Sequence, residues 1–201
     1  MMTLLQAVGE ILRPTLVQRG AIQLEETDVG STCKAITLHK SGQALVLRPD
    51  LAVGGVCPRS DCAKSLSAND RLFPLFRQDV PGLAAMCDYI VFCQDDAEND
   101  DRLFVLLCEL KSRDVKGSRN QIEKGMLLAD YIVSTAMNQH PIQQKPRIER
   151  RGLVFSPKFE RPKGSLQKSR CQYQPLRGGY KDLPFAYYKS GTEYPLSHFC
   201  S

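Results

Sequence analysis

Three charged side chains, Asp88, Glu109 and Lys111, have the types and the spacing for metal-assisted chemistry. Asp88 opens one apolar run of strand length, and Glu109 and Lys111 end a second one at 103–108. The polar residues between the runs predict the surface loop of a β-hairpin near 94–102. If that loop is symmetric, Asp88 lies opposite Glu109 with the two Cβ atoms about 5 Å apart, and the like charges repel. The pair then requires a cation: Lys111 supplies one charge, and a divalent metal would supply the rest.

The elements around this hairpin predict an α/β protein with a mixed β-sheet flanked by helices. Hydrophobic periodicity and turn residues predict, in chain order, a helix over 3–13 capped by Thr3, a hairpin of strands 33–39 and 44–48, a helix over 119–137, a strand at 153–155, and a terminal hairpin over 183–195 that turns at Ser190-Gly191. The strand at 153–155 follows a helix, so it returns to the sheet by a crossover.

Length and composition predict one globular domain. The chain has 201 residues, of which 42% are hydrophobic and 24% charged. We therefore expect a single domain over 1–201, in which 158–201 form a basic loop and a C-terminal hairpin extension. No apolar run approaches the roughly 18 residues of a membrane span, and no secretory signal is evident. No membrane partner is expected.

The eight cysteines are scattered, and several lie inside apolar runs. This distribution predicts reduced, buried thiols and a cytoplasmic protein. Cys57 and Cys62 have a spacing within reach of a zinc knuckle, but no second pair completes a four-ligand set. We therefore interpret them as two loop thiols without zinc.

The triplet Glu109-Leu110-Lys111, preceded by Asp88 on the neighbouring strand, resembles the PD-(D/E)xK nuclease superfamily. The resemblance extends into the following helix, which contains Gln121. Cys87 stands where the family name has Pro, a position at which the family often differs. The resemblance implies a restriction-endonuclease-like core. It also implies a magnesium-dependent endonuclease, with manganese as a possible substitute, that hydrolyses phosphodiester bonds of DNA. A place in a prokaryotic defence or DNA-processing system is an analogy with the superfamily.

The resemblance also implies a role for each site residue. Asp88, Glu109 and the Leu110 carbonyl would hold the metal, and Lys111 would orient the attacking water or stabilise the phosphate. Gln121 has two interpretations of equal weight. It can face the metal site from the first turn of the helix, or it can form a Ser-x-x-Gln capping box with Ser118.

Two other interpretations of the acid-x-Lys cluster remain open. The charges can be a solvated strand end whose ion pair contributes under about 1 kcal/mol. The unbroken apolar run 103–108 argues against this, because such a strand is covered on both faces. Alternatively, the chain can be a catalytically silent nucleic-acid-binding subunit, or a structural adaptor of a larger complex. Metal-dependent cleavage separates a nuclease from both.

The positive charge is concentrated in one segment. Between 140 and 181, eleven Lys and Arg face only two Glu, which gives this segment +9 in a chain of net charge +5. We expect nucleic-acid phosphates to contact this segment, through the residues Lys163, Lys168 and Arg170. The alternative is a solvated loop that only aids solubility. No sequence-reading module is evident, so targeting would come from homo-oligomerisation or a partner ATPase.

Overall fold

Two α-helices and ten strands form the regular structure of the described residues. The computed structural model describes residues 2–12, 17–18, 21–26, 30–39, 42–49, 86–95, 101–112, 115, 117–159, 173–176 and 183–200. The helices are α1 (Leu4–Ile11) and α2 (Ser118–Gln139). The strands are β1 (Val17–Gln18), β2 (Ile22–Leu24), β3 (Ile36–His39), β4 (Gly42–Leu47), β5 (Tyr89–Asp95), β6 (Arg102–Leu110), β7 (Arg147–Ser156), β8 (Gln174–Leu176), β9 (Leu183–Lys189) and β10 (Glu193–Pro195). A 3-10 helix, Leu196–Phe199, follows β10.

The main sheet is mixed, with strand order β1-β4-β5-β6-β7-β9-β8. Strands β5 and β6 form the predicted antiparallel hairpin, and β7 returns parallel to β6 after the α2 crossover. Strand β9 then pairs in parallel with β7. The prediction of an α/β protein with a mixed sheet and flanking helices is confirmed at this level.

Both faces of the main sheet are covered, as the unbroken apolar run in β6 predicts. Leu103, Val105 and Leu107 pack toward α1 and α2, on what we call the helix face. Phe104 and Leu106 point the other way, into a cluster shared with the small sheet β10-β3-β2. Alternation along β6 therefore places Glu109 on the helix face, because it shares the parity of Leu107.

The two other predicted hairpins are wrong in their pairing, although their strands exist. Strand β3 belongs to the small sheet, whereas β4 pairs with β1 and β5 in the main sheet. Likewise β9 stays in the main sheet, and β10 pairs in parallel with β3. The chain does turn at Ser190-Gly191, where Gly191 has φ 71°. Strands β4 and β9 carry buried side chains on both faces, so burial is gained in the main sheet rather than in a local hairpin.

The first helix begins as predicted. Thr3 accepts from the Gln6 N–H, and Gln6 Oε1 accepts from the Thr3 N–H, which completes a capping box. The second helix begins differently: its N-cap is Gly117, at φ 82°, with no side-chain cap. Ser118 is buried and donates its hydroxyl to the Val115 carbonyl at 2.6 Å. The predicted capping box of Ser118 and Gln121 is therefore wrong, and the Gln121 side chain is available for other contacts.

A close approach joins α2 to the strand that carries Asp88. A Cβ atom added at Gly125 would lie 2.2 Å from the Cys87 Sγ, so glycine is what allows the helix to reach this position. Neither described helix is both long and apolar enough to cross a membrane. Several predictions lie outside the described residues: those for Cys57 and Cys62, and those for Lys163, Lys168 and Arg170.

Candidate functional site

The hairpin register places Asp88 opposite Glu109. Tyr89 pairs with Cys108, so the next position outward pairs Asp88 with Glu109, as the symmetric loop predicts. The Leu110 N–H donates to Asp88 Oδ2 at 2.7 Å, which ties Asp88 to the end of β6. Directly opposed side chains lie on one face of a sheet, so both carboxylates belong to the helix face.

Glu109 is a buried carboxylate with one partner. Its side chain is 1% exposed, and Oε1 lies 2.5 Å from Lys111 Nζ. Oε2 is also buried and has no hydrogen-bond partner among the described residues. A buried carboxylate oxygen without a partner costs free energy, and such atoms require an explanation in a folded protein. A cation or a proton at Oε2 would supply it.

The protonation of Glu109 follows from this environment. Burial, reinforced by repulsion from Asp88, raises the pKa of Glu109 to about 8, against an opposing effect of Lys111. Without another cation, Glu109 therefore holds a proton near neutral pH. Because a metal ligand must be ionised, a cation bound here would displace that proton.

Lys111 and Gln121 form the more open edge of the cluster. Lys111 is 21% exposed, and its Nζ donates to Gln121 Oε1 at 2.6 Å. Gln121 Nε2 donates in turn to the Met86 carbonyl at 3.4 Å. Of its two predicted roles, Gln121 does not cap the helix; it contacts the site lysine. The structure thus brings Asp88, Glu109, Lys111 and Gln121 together.

The donor set can be tested for magnesium. Two carboxylates, one with an unpartnered buried oxygen, are the hard oxygen ligands that magnesium prefers, and this ion usually keeps several waters. The described residues contain no cluster of three or more His, Cys, Asp and Glu side chains that could hold a metal. A site limited to two carboxylates suits a hydrated magnesium ion and does not suit closed tetrahedral zinc. The Leu110 carbonyl as a third ligand remains a prediction.

Two buried thiols adjoin the carboxylates. Burial raises the pKa of Cys87 and of Cys108, and the charges of Asp88 and Glu109 act in the same direction. Both side chains are therefore neutral thiols at physiological pH. They act as small apolar groups around the site and are neither nucleophiles nor metal ligands in this state.

Main-chain partners that the sequence did not reveal hold the site in place. The Lys111 N–H donates to the Phe155 carbonyl of β7 at 2.8 Å. Ser112 contacts a distant segment: its Oγ lies 2.6 Å from Ser31 Oγ, and its carbonyl accepts from Thr32 Oγ1 at 3.0 Å. Backbone carbonyls are present at every residue, and contacts across 80 positions leave no periodicity, so no sequence signal could have identified them.

Part of the basic segment is neutralised internally. Arg150 pairs with Asp130 of α2 at 2.5 Å. Arg147 and Arg151 both pair with Glu149, at 2.7 and 3.0 Å. These arginines lie in the first half of β7, away from the end that adjoins Glu109. Their charges therefore contribute less to a phosphate-binding surface than the sequence count suggests.

No protein-family model matches the chain, and neither the curated proteins nor the solved structures give a match. The resemblance to the PD-(D/E)xK nucleases therefore rests on the cluster of Asp88, Glu109 and Lys111 and on the elements that carry it. Function has to be inferred from the chemistry of that cluster.

Proposed function

We propose that this protein is a metal-dependent nuclease that hydrolyses phosphodiester bonds, with DNA as the substrate. The observation that carries the proposal is the buried Glu109 carboxylate, which faces Asp88, keeps one unpartnered oxygen and contacts Lys111. The mixed sheet, with α2 crossing between β6 and β7, is compatible with a restriction-endonuclease-like core. Placement in a defence or DNA-processing system stays part of the proposal.

Asp88 and Glu109 would hold a magnesium ion, with the Leu110 carbonyl as a third ligand and manganese as a substitute. When bound, such an ion lowers the pKa of a water and neutralises charge on phosphoryl oxygens. The chain's own contribution is to fix two carboxylates on one face and to exclude bulk water around Glu109, which is 1% exposed. In such an environment a fixed charge interacts more strongly than in water.

Lys111 is the residue proposed to contact the phosphate. An ammonium has three N–H donors, and those used among the described residues go to Glu109 and Gln121. The third donor is therefore available for a phosphoryl oxygen as charge develops on it. Gln121, anchored on the Met86 carbonyl, is a positioning residue that holds the ammonium beside the carboxylates.

Cleavage assays test the proposal directly. Plasmid, linear DNA and RNA would each be incubated with the purified protein in magnesium, manganese or EDTA. We expect cleavage of DNA with either metal and none in EDTA. Glu109→Gln should abolish cleavage, whereas the exposed Glu10 provides a matched control as Glu10→Gln. Binding without cleavage in every metal would favour the catalytically silent subunit.

A further inference from the structure

An aromatic pair, Tyr187 and Phe159, lies at the same end of the main sheet as Glu109. Glu109 pairs with Val154 of β7, and Val154 pairs with Tyr187 of β9. Paired residues of adjacent strands point to the same face, so Tyr187 and Glu109 share the helix face, two strands apart. Two strand spacings correspond to about 10 Å.

The aromatic pair has a defined geometry. The rings of Phe159 and Tyr187 stack with centroids 5.8 Å apart and planes inclined by 21°. Phe185 packs edge-on against Tyr187 at 5.0 Å. Tyr187 is nevertheless 36% exposed, although Ala186 and Tyr188 on either side of it are buried. A supported ring thus remains partly open to solvent.

Main-chain hydrogen bonds fix the turn that carries Phe159. The carbonyl of Ser156, a buried residue, accepts from the Phe159 N–H at 3.3 Å and from the Ser190 N–H at 3.2 Å. The end of β7 and the end of β9 are thereby joined next to the two rings. The pairing of β8 with β9 runs only from Leu183 to Phe185, so β8 does not pair with Tyr187.

Positive charge accompanies the rings. Lys189 is exposed and shares the parity of Tyr187 along β9, so it lies on the helix face. It pairs with Ser156, the residue one position beyond Phe155, just as Lys111 lies one position beyond Leu110, which pairs with Phe155. Lys111 and Lys189 thus end the same row across three strands. Lys158, next to Phe159, is also exposed.

From this juxtaposition we infer that Tyr187 and Phe159 form a stacking platform for an unpaired base of single-stranded nucleic acid. This inference rests on the proposed function, because the phosphate of the same strand would reach Lys111. Aromatic rings bind bases through their π-faces, which a single strand presents and an intact duplex keeps stacked internally. The lysines on the platform's border supply the matching charge for the phosphates. The substrate class is therefore single-stranded DNA or a frayed duplex end.

Binding measured by fluorescence anisotropy tests the platform. The probes are a labelled single-stranded oligonucleotide and a labelled hairpin duplex, both in EDTA so that cleavage plays no part. We expect Tyr187→Ala and Tyr187→Leu to bind the single strand roughly five- to a hundredfold more weakly than the wild type. Tyr187→Phe should stay within about twofold, because it keeps the ring. Tyr131→Ala is the matched control, since Tyr131 is an exposed tyrosine on α2.

Leucine keeps apolar packing against Phe159, so the Leu variant separates loss of stacking from loss of folding. Duplex affinity should change little in every variant. Equal single-strand affinity of wild type and Tyr187→Leu, or equal weakening for strand and duplex, would overturn the inference. Failure of the nuclease proposal is a separate result: the wild type would bind the strand through Tyr187 in EDTA and leave it intact in magnesium.

Discussion

Replacing Glu109 by Gln should change how stability depends on pH. Burial and repulsion from Asp88 raise the pKa of Glu109 in the folded protein to about 8, above its ordinary value of 4.5. Between these values the folded state holds a proton that the unfolded chain releases. The stabilising contribution is therefore complete below pH 4.5 and is lost as pH rises to 8. Gln cannot titrate, so the variant lacks this loss.

The magnitude follows from the pKa difference. Each pH unit between the two pKa values changes the free energy of unfolding by about 1.4 kcal/mol. Between pH 5 and pH 7, the wild type should therefore lose about 3 kcal/mol relative to Glu109→Gln. Removing the partner of Lys111 shifts the offset between the two proteins but contributes little to its slope with pH.

Urea denaturation in EDTA, at half-unit steps from pH 5 to 8, measures this difference. Glu10→Gln serves as the control, because an exposed carboxylate on α1 should show almost no slope relative to the wild type. A stability difference between wild type and Glu109→Gln that stays constant within about 0.5 kcal/mol would refute the assigned burial and repulsion. Added magnesium at pH 8 should stabilise the wild type and not the variant.

Three other substitutions test separate parts of the structure. Lys111→Ala should reduce DNA cleavage at least about a hundredfold in a gel assay while the melting temperature stays near that of the wild type; wild-type rates would contradict its role. Gly125→Ala should destabilise the fold by about 1–3 kcal/mol in thermal denaturation, because the added methyl meets the Cys87 Sγ, and Cys87→Ala should restore part of the loss. A triple alanine variant of the basic segment should flatten the salt dependence of DNA affinity by about 0.9 per lost contact, and an unchanged slope would place the groove elsewhere; its positions are Lys163, Lys168 and Arg170.

The part of the site that the sequence predicts is its local part. Asp88 and Glu109 lie on strands joined by one loop, so alternation and symmetry suffice to set their register. The order strand, helix, strand through α2 similarly requires a parallel return of β7. Lys111 follows on the same face as Glu109 by parity alone.

The rest depends on competition between distant segments. Strand β3 pairs with β10, which lies more than 150 positions later, and no local pattern distinguishes that pairing from a hairpin with β4. The start of α2 is set by Gly117 in the left-handed region, which turns Ser118 inward and leaves Gln121 to contact Lys111. The burial of Glu109 was equally invisible, because a strand end followed by Lys reads as solvated.

Isothermal titration of the metal-free protein with magnesium or manganese, in buffers of different ionisation enthalpy, tests the central claim that Asp88 and Glu109 form a metal site. At pH 7, Glu109 with a pKa of about 8 is mostly protonated, so each ion bound should release close to one proton. Glu109→Gln should lose binding and proton release together. Metal binding of the same strength and proton count in the wild type and in Glu109→Gln would contradict the claim.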